Sequence, residues 1–507
     1  MVGEGPGIRV DSVANSIHQR HQLSVMFARL LSVALPSSLM LCVSSLSAQC
    51  GLTSTPIVFP PTVGSGFVNA AVALPSGDIV FGGTFQDRLV RWDGSTLQPL
   101  ATGMETSVSH LELASNGDLL LAGWFQSMFP LGEQRVTRWD GASWSQLNWA
   151  PFNQQYALVG SLASGPANDV VVTGYFLDAV SLDPESVLRW NGSSWTGLGL
   201  LSGAAHDVVV ATNGDIYIVG DFTGIDGVAA NNIARFDGTS WNSVGFGVAG
   251  LLRRVMVLRD GTVVAFGDSA WRFDGTTLQP FGAFGAGDEP YGAIELPNGD
   301  LIVHGSLTSV AGVAVANMAR FDGTSWSAYS ASANRVSAVA LRDDGTVVTA
   351  GGFLLSPVSW QPYAFEMATT CPATAVTVGV GCATSAGVAE LASNNLPWVG
   401  TTFSAEASGL PTNAVALAVT GLSAVNIPIA NLLPQGAPGC VLMATLDHTE
   451  LLPIVAGQSS SSLVLPNLPV LAGITLRHQV AAFEFAVSGP LQSVTSTNAL
   501  ALTVGSL

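Results

Sequence analysis

Few side chains in this 507-residue sequence could do chemistry, and their spacing narrows what that chemistry could be. Seven histidines are scattered along it, no Gly-x-Ser-x-Gly elbow stands with triad partners, and no Gly-rich phosphate loop leads into a helix. A copper centre of two tyrosines and two histidines would have to gather His110, His206 and His304, which read more simply as strand residues. Glycoside hydrolysis needs two carboxylates facing one bond, and Asp221, Asp226, Glu133 and Glu185 are the candidates, spread over different stretches of chain. No catalytic residue, metal or cofactor is assigned. What remains suits contact: Trp124, Phe125, Phe129, Trp149, Phe152, Tyr156, Tyr175 and Tyr291, with Asp221 and Asp226, fall on connections between short apolar runs. Aromatics on exposed loops bury much area at little entropic cost and fit carbohydrate or protein surfaces. The alternative is that they pack ordinary loops and strands.

The elements that must position these residues recur seven times between residues 60 and 370. Each unit opens on an apolar run and a tight turn such as Asn116-Gly117-Asp118, Asn213-Gly214-Asp215 or Asn298-Gly299-Asp300, followed by a second apolar run. Six units then carry an Arg-aromatic-Asp/Asn-Gly turn, at Arg91, Arg138, Arg189, Arg235, Arg272 and Arg320. Successive arginines lie 47, 51, 46, 37 and 48 residues apart, about the length of one four-stranded propeller blade. Asn-Gly and Asp-Gly reach positive φ cheaply, so these are hairpin turns and each unit is a four-stranded antiparallel meander. The turn aromatics, with Trp144, Trp195, Trp241 and Trp326, read as packing between blades, and the turn Asp as a cap. The expected fold is all-β, a seven-bladed propeller over residues 49–371, with six or eight blades as alternatives.

Composition agrees with many short, half-buried strands: 48% of residues are apolar, 10% are charged and 56 are Gly. The formal charge is −18, and no Lys occurs. Without a basic run, binding to nucleic acid or to an anionic membrane lacks its driving force. Arg29 and the apolar stretch 30–46, ending in Ser47-Ala48, read as a secretory signal with an extended N-region over residues 1–48. A membrane anchor and a lipoprotein at Cys50 are the alternatives. The mature chain is then expected to have no membrane span, to be monomeric, and to be secreted or displayed at the cell surface.

The mature chain would keep Cys50, Cys371, Cys382 and Cys440, an even number suited to an oxidising compartment. Four cysteines allow three pairings. The seventh unit lacks its last strand, and residues 55–59 supply one that would close the ring. That closure brings Cys50 to Cys371 and leaves Cys382 for Cys440; in the chain-entropy model a loop so long contributes on the order of 4 kcal/mol. From residue 372 the repeat stops and charge nearly vanishes. Alternating runs at 414–419, 461–465 and 479–487 suggest a small antiparallel β-sandwich through residue 507.

Phrases such as Asn231-Asn232-Ile233-Ala234-Arg235-Phe236-Asp237-Gly238-Thr239-Ser240-Trp241 resemble the repeats of secreted bacterial kelch-like proteins and of the cortical-marker-for-cell-polarity family. Gly379-Val380-Gly381-Cys382 and Gly439-Cys440 resemble C-terminal modules on secreted bacterial repeat proteins. The resemblance implies a propeller used for extracellular contacts. The expectation is a binding or adhesion module for a glycan or protein, acting through its variable loop face. The alternative is a carbohydrate-active hydrolase or lyase on the same scaffold.

Overall fold

The computed structural model describes residues 50–507, apart from 61–62, 102–103, 105–106, 129–131, 154–156, 330–334, 357–358 and 487–488. Two compact units emerge: Leu52–Ala368, and Thr369–Leu507 with Cys50 and Gly51.

The first unit is a β-propeller. Seven sheets, each with a four-stranded antiparallel path, follow one another, and their inner strands are Val68–Ala73, Val108–Leu113, Leu158–Ser164, Leu201–Val210, Leu252–Val257, Glu289–Glu295 and Val336–Leu341. Each inner strand packs beside the next and the last beside the first, so the sheets close a ring. We number the blades one to seven in this order. In blade seven the outer strand is Leu52–Ile57, paired with Ser359–Thr369 from the other end of the unit. That closure leaves no free seam.

Five of the seven blades carry a clamp that spans both sequence turns. Pairing sets Arg91 opposite Val80 and Arg235 opposite Tyr217, and this places each Arg beside the Asp that ended the preceding turn. The result is five ion pairs, Arg91–Asp78, Arg138–Asp118, Arg189–Asp169, Arg235–Asp215 and Arg320–Asp300. Blade five has Thr262 in place of the Asp, and its Arg272 is exposed. Blade seven has Glu366 where the others have Arg, and Glu366 pairs with Arg342 at 2.6 Å. The turn aspartates cap as expected: Asp237 Oδ1 accepts from the backbone N–H groups of Thr239 and Ser240 at 2.9 Å. Such bonds, led by that from the Thr239 hydroxyl, hold its carboxyl well below the usual range.

Blade cores are shared between neighbours. Trp241 packs on Phe236 of its own blade at 5.2 Å and donates its indole N–H to Leu198 O of the blade before it. Trp326 does the same with Phe321 and Phe281 O. Fully buried Phe81, Phe222 and Phe266 each stabilise the ring by roughly 1.5–3 kcal/mol.

The second unit is a β-sandwich. A five-stranded sheet runs Thr374–Val378, Leu491–Thr503, Thr475–Phe485, Ala414–Gly421, His448–Leu452 in spatial order. Facing it is a three-stranded sheet of Glu390–Ser393, Thr402–Ser408 and Ser459–Val464, and a common core of Leu391, Phe403, Ala418, Val480 and Leu500 joins the two. Burial along Thr402–Ser408 alternates with period two, as a strand with one core face requires. Disulfides join Cys50 to Cys371 and Cys382 to Cys440.

Candidate functional site

The inner strands carry the feature that builds the site. In all seven blades the pairing of inner and second strand slips by one residue at the same place, between Val68/Ala70, Val108/His110, Val159/Ser161, Ala205/Asp207, Leu252/Arg254, Pro290/Gly292 and Val336/Ala338. A bulge frees the skipped residue from the ladder and re-aims it. The skipped residues are Asn69, Ser109, Gly160, His206, Arg253, Tyr291 and Ser337.

The second strand makes the bulge possible. Opposite each slip stands a glycine, at 83, 123, 174, 220, 267, 305 and 351. There the inner-strand backbone leans so close that a Cβ on Gly174 would lie 1.8 Å from the Leu158 carbonyl oxygen, and one on Gly267 1.8 Å from that of Leu251. No side chain larger than hydrogen fits.

Four consecutive blades turn these positions into a recess. Gly160, Ala205, His206, Arg253, Arg254, Pro290 and Tyr291 line a cavity of about 340 Å³. It lies near the beginnings of the inner strands, hence on the face where long connections emerge and opposite the tight Gly turns. Exposed apolar side chains favour the same face. Among the described residues of this unit, Val58, Leu158, Tyr175, Val180, Leu182, Leu200 and Phe246 sit on connections or strand ends there, and of the large exposed apolar side chains only Leu52 lies at the other end.

Hydrogen bonds hold the lining in place. Arg254 donates through Nε to Tyr291 O and through Nη1 to Arg253 O at 2.8 Å. The His206 Nδ1 lies 3.0 Å from Leu252 O. Tyr291 donates its hydroxyl to Glu289 Oε2 at 2.9 Å, Arg253 pairs with Glu289 Oε1 at 3.2 Å, and the Arg335 guanidinium lies 4.2 Å over the Tyr291 ring. Burial, then the bond to Glu289, push the Tyr291 hydroxyl up to about 12, so it serves as a donor and not as a base. Deeper in, Asp207 accepts from Ser161 Oγ at 2.7 Å and Val255 N at 3.0 Å, tying blades three, four and five together. Nearby, burial takes His110 down to about 4 and Glu112 up to about 7, although Glu112 keeps part of its surface accessible.

Several residues expected to contact a ligand lie elsewhere. Phe125, Trp149 and Phe152 are core, with 0%, 3% and 8% of their surface exposed. Trp149 stacks on Trp195 at 4.9 Å, because the connection into blade three packs its aromatics into the core shared by blades two and three. Tyr175 is exposed opposite Leu158 on the long-connection face. Asp221 is exposed, whereas Asp226 braces a turn by accepting from Leu200 N at 2.9 Å. Glu185 does likewise with Gly199 N at 3.0 Å, and burial holds its carboxyl above the usual range. Tyr291 is the one expected residue that lines the recess. The Trp124 side chain, Phe129, the Glu133 side chain, Tyr156 and the signal segment lie outside the described residues. Sequence reasoning read His206 only as a strand residue and did not single out Arg253, Arg254, Arg335 or Phe246; the glycine recurring as the fifth residue of each second strand is the signal that marks the bulges. Among the described residues no cluster of three His, Cys, Asp or Glu side chains could hold a metal, and no helix is long and apolar enough to cross a membrane.

No family model and no curated protein matches the chain. Solved structures with some likeness include a streptogramin B lyase, at TM-score 0.47 and 9% identity over 63% of this chain and 98% of that one. Virginiamycin B lyase from Staphylococcus aureus gives 0.43 and 10%, over 63% and 99%. The β-propeller domain of the Trilobed protease from Pyrococcus furiosus gives 0.36 and 10%, over 60% and 97%. At these scores the likeness says nothing of ligand or activity.

Proposed function

We propose that this protein is an extracellular binding module that captures a glycan or protein on the long-connection face of its propeller, with part of the ligand seated in the recess. The observation that carries the reading is the coincidence, on one face, of that recess with exposed Tyr175 and Phe246. Small-ligand sites are concave and few, and amphipathic aromatics around them bury much area at little entropic cost. The two disulfides fit an oxidising compartment. Tyr291 held protonated suits recognition more than proton abstraction.

A glycan-array screen of the mature chain, run beside an assay for newly released reducing ends, tests this reading. Binding without turnover, lost in His206→Trp and weakened in Phe246→Ala, is the expected result. Turnover of a bound glycan would make the protein an enzyme, and binding untouched by His206→Trp would move the site away from the recess.

A further inference from the structure

The recess is cationic in a protein that is otherwise strongly acidic. The chain carries −18 overall, and its basic residues are all Arg. Six of the thirteen arginines of the propeller are committed to its architecture by ion pairs: five clamp hairpins against Asp, and Arg342 pairs with Glu366. Three others gather at the recess. Arg253 and Arg254 come from blade five, Arg335 from blade seven, and they flank Tyr291 of blade six between them.

Among the described residues, Glu289 and Asp207 are carboxylates bonded to this group or to its neighbours. Glu289 bridges Arg253 and the Tyr291 hydroxyl, and Asp207 is turned onto Ser161 and Val255 N. Among the described residues Glu289 is the carboxylate paired at the recess, while Asp207 and Glu112 lie deeper in. Among the described residues no carboxylate pairs with Arg254 or Arg335. Arg254 is fixed by two carbonyl acceptors, so little side-chain entropy is left for a ligand to remove. Arg335 is exposed at the rim, and its carbonyl is anchored by the Tyr363 hydroxyl at 2.6 Å.

We infer that the recess recognises the carboxylate of an acidic sugar, the uronate end of an oligosaccharide; this rests on the recess being the binding site proposed above. Guanidinium groups are the side chains best matched to a carboxylate. At about 340 Å³ the recess lies at the small end of ligand pockets, wide enough for the end of a sugar chain and too narrow for a folded protein surface. His206, with Nδ1 on the Leu252 carbonyl, keeps Nε2 for a sugar hydroxyl. Exposed aromatic and apolar groups on the same face would carry the following sugars.

The test is titration calorimetry on the mature full chain with galacturonate, glucuronate and mannuronate oligosaccharides, each beside its carboxyl-reduced form, in wild type, Arg253→Gln, Arg335→Gln and His206→Trp. Thermal unfolding of each variant confirms that it folds. At least one uronate oligomer is expected to bind, and carboxyl reduction or either Arg variant should weaken it about 10-fold or more, as loss of one charge-assisted hydrogen bond does. His206→Trp should abolish binding. Equal affinity for acidic and reduced oligomers, with His206→Trp still abolishing it, overturns the acidic-sugar inference and leaves the recess as the site. Affinity untouched by His206→Trp overturns both. Capture of an acidic peptide with no uronate bound by any variant overturns the inference in favour of a protein ligand.

Discussion

His478 makes the sandwich acid-sensitive by an amount that can be worked out. It is 2% exposed on the strand Thr475–Phe485, with Nδ1 2.8 Å from Thr420 Oγ1 and Nε2 2.8 Å from Ser461 Oγ. Ser461 also donates to Ala405 O at 3.3 Å, so the network assigns the imidazole as neutral, with Nε2–H donating to Ser461 and Thr420 donating to Nδ1. Burial, then His448, lower its pKa from 6.5 to about 4. The unfolded chain therefore takes up a proton near pH 6.5, whereas the folded one resists until about pH 4. At pH 7 the group leaves stability unchanged; at pH 5.5 it removes about 1.4 kcal/mol, and by pH 4 about 3 kcal/mol, after which the loss levels off. Hydrogen exchange followed by mass spectrometry on the full chain reads this locally, as the opening free energy of residues 475–485 between pH 7 and 4. His478→Gln keeps a donor and an acceptor but cannot titrate, and its exchange should lack this pH slope. Identical slopes in wild type and His478→Gln, or an imidazole resonance titrating near 6.5, would refute the reasoning.

Trp149→Ala should cost about 3–5 kcal/mol, as removal of a buried stacked aromatic does, and lower the propeller's Tm; a loss of ligand binding at unchanged Tm would place Trp149 at the surface after all. Blade five offers a gain: Thr262→Asp should recreate the missing clamp to Arg272 and add about 0.5–1 kcal/mol in urea unfolding, a gain absent in the Arg272→Met background. Substituting both Cys50 and Cys371 by Ser opens a loop of 321 residues' separation, and the chain-entropy model sets the loss at about 4–6 kcal/mol. Calorimetry should then show a lower transition, with faster exchange in Leu52–Ile57, the closing strand of blade seven. Finally, Gly267→Ala should disrupt the bulge of blade five and with it Arg253, weakening ligand binding more than Gly275→Ala in an open turn.

Local chemistry was enough for much of this molecule. Asn-Gly and Asp-Gly turns, apolar runs of strand length and a fixed recurrence determine antiparallel meanders, because turn φ and strand period depend only on neighbours along the chain. The incomplete seventh unit and an orphan N-terminal strand determine the closure, and closure puts Cys50 beside Cys371. Tertiary structure decided the rest. Whether Trp149 or Phe152 is surface or core depends on which residues of the two adjoining blades close around their connection, which no local pattern records. The Arg–Asp clamps join two turns that only the register brings together. The recess draws its lining from blades three to six, one or two residues from each, and the slip that re-aims those residues depends on a glycine one strand away. Sequence spacing carries the period of a repeat; only closing the ring around an axis makes residues as far apart as His206 and Tyr291 neighbours.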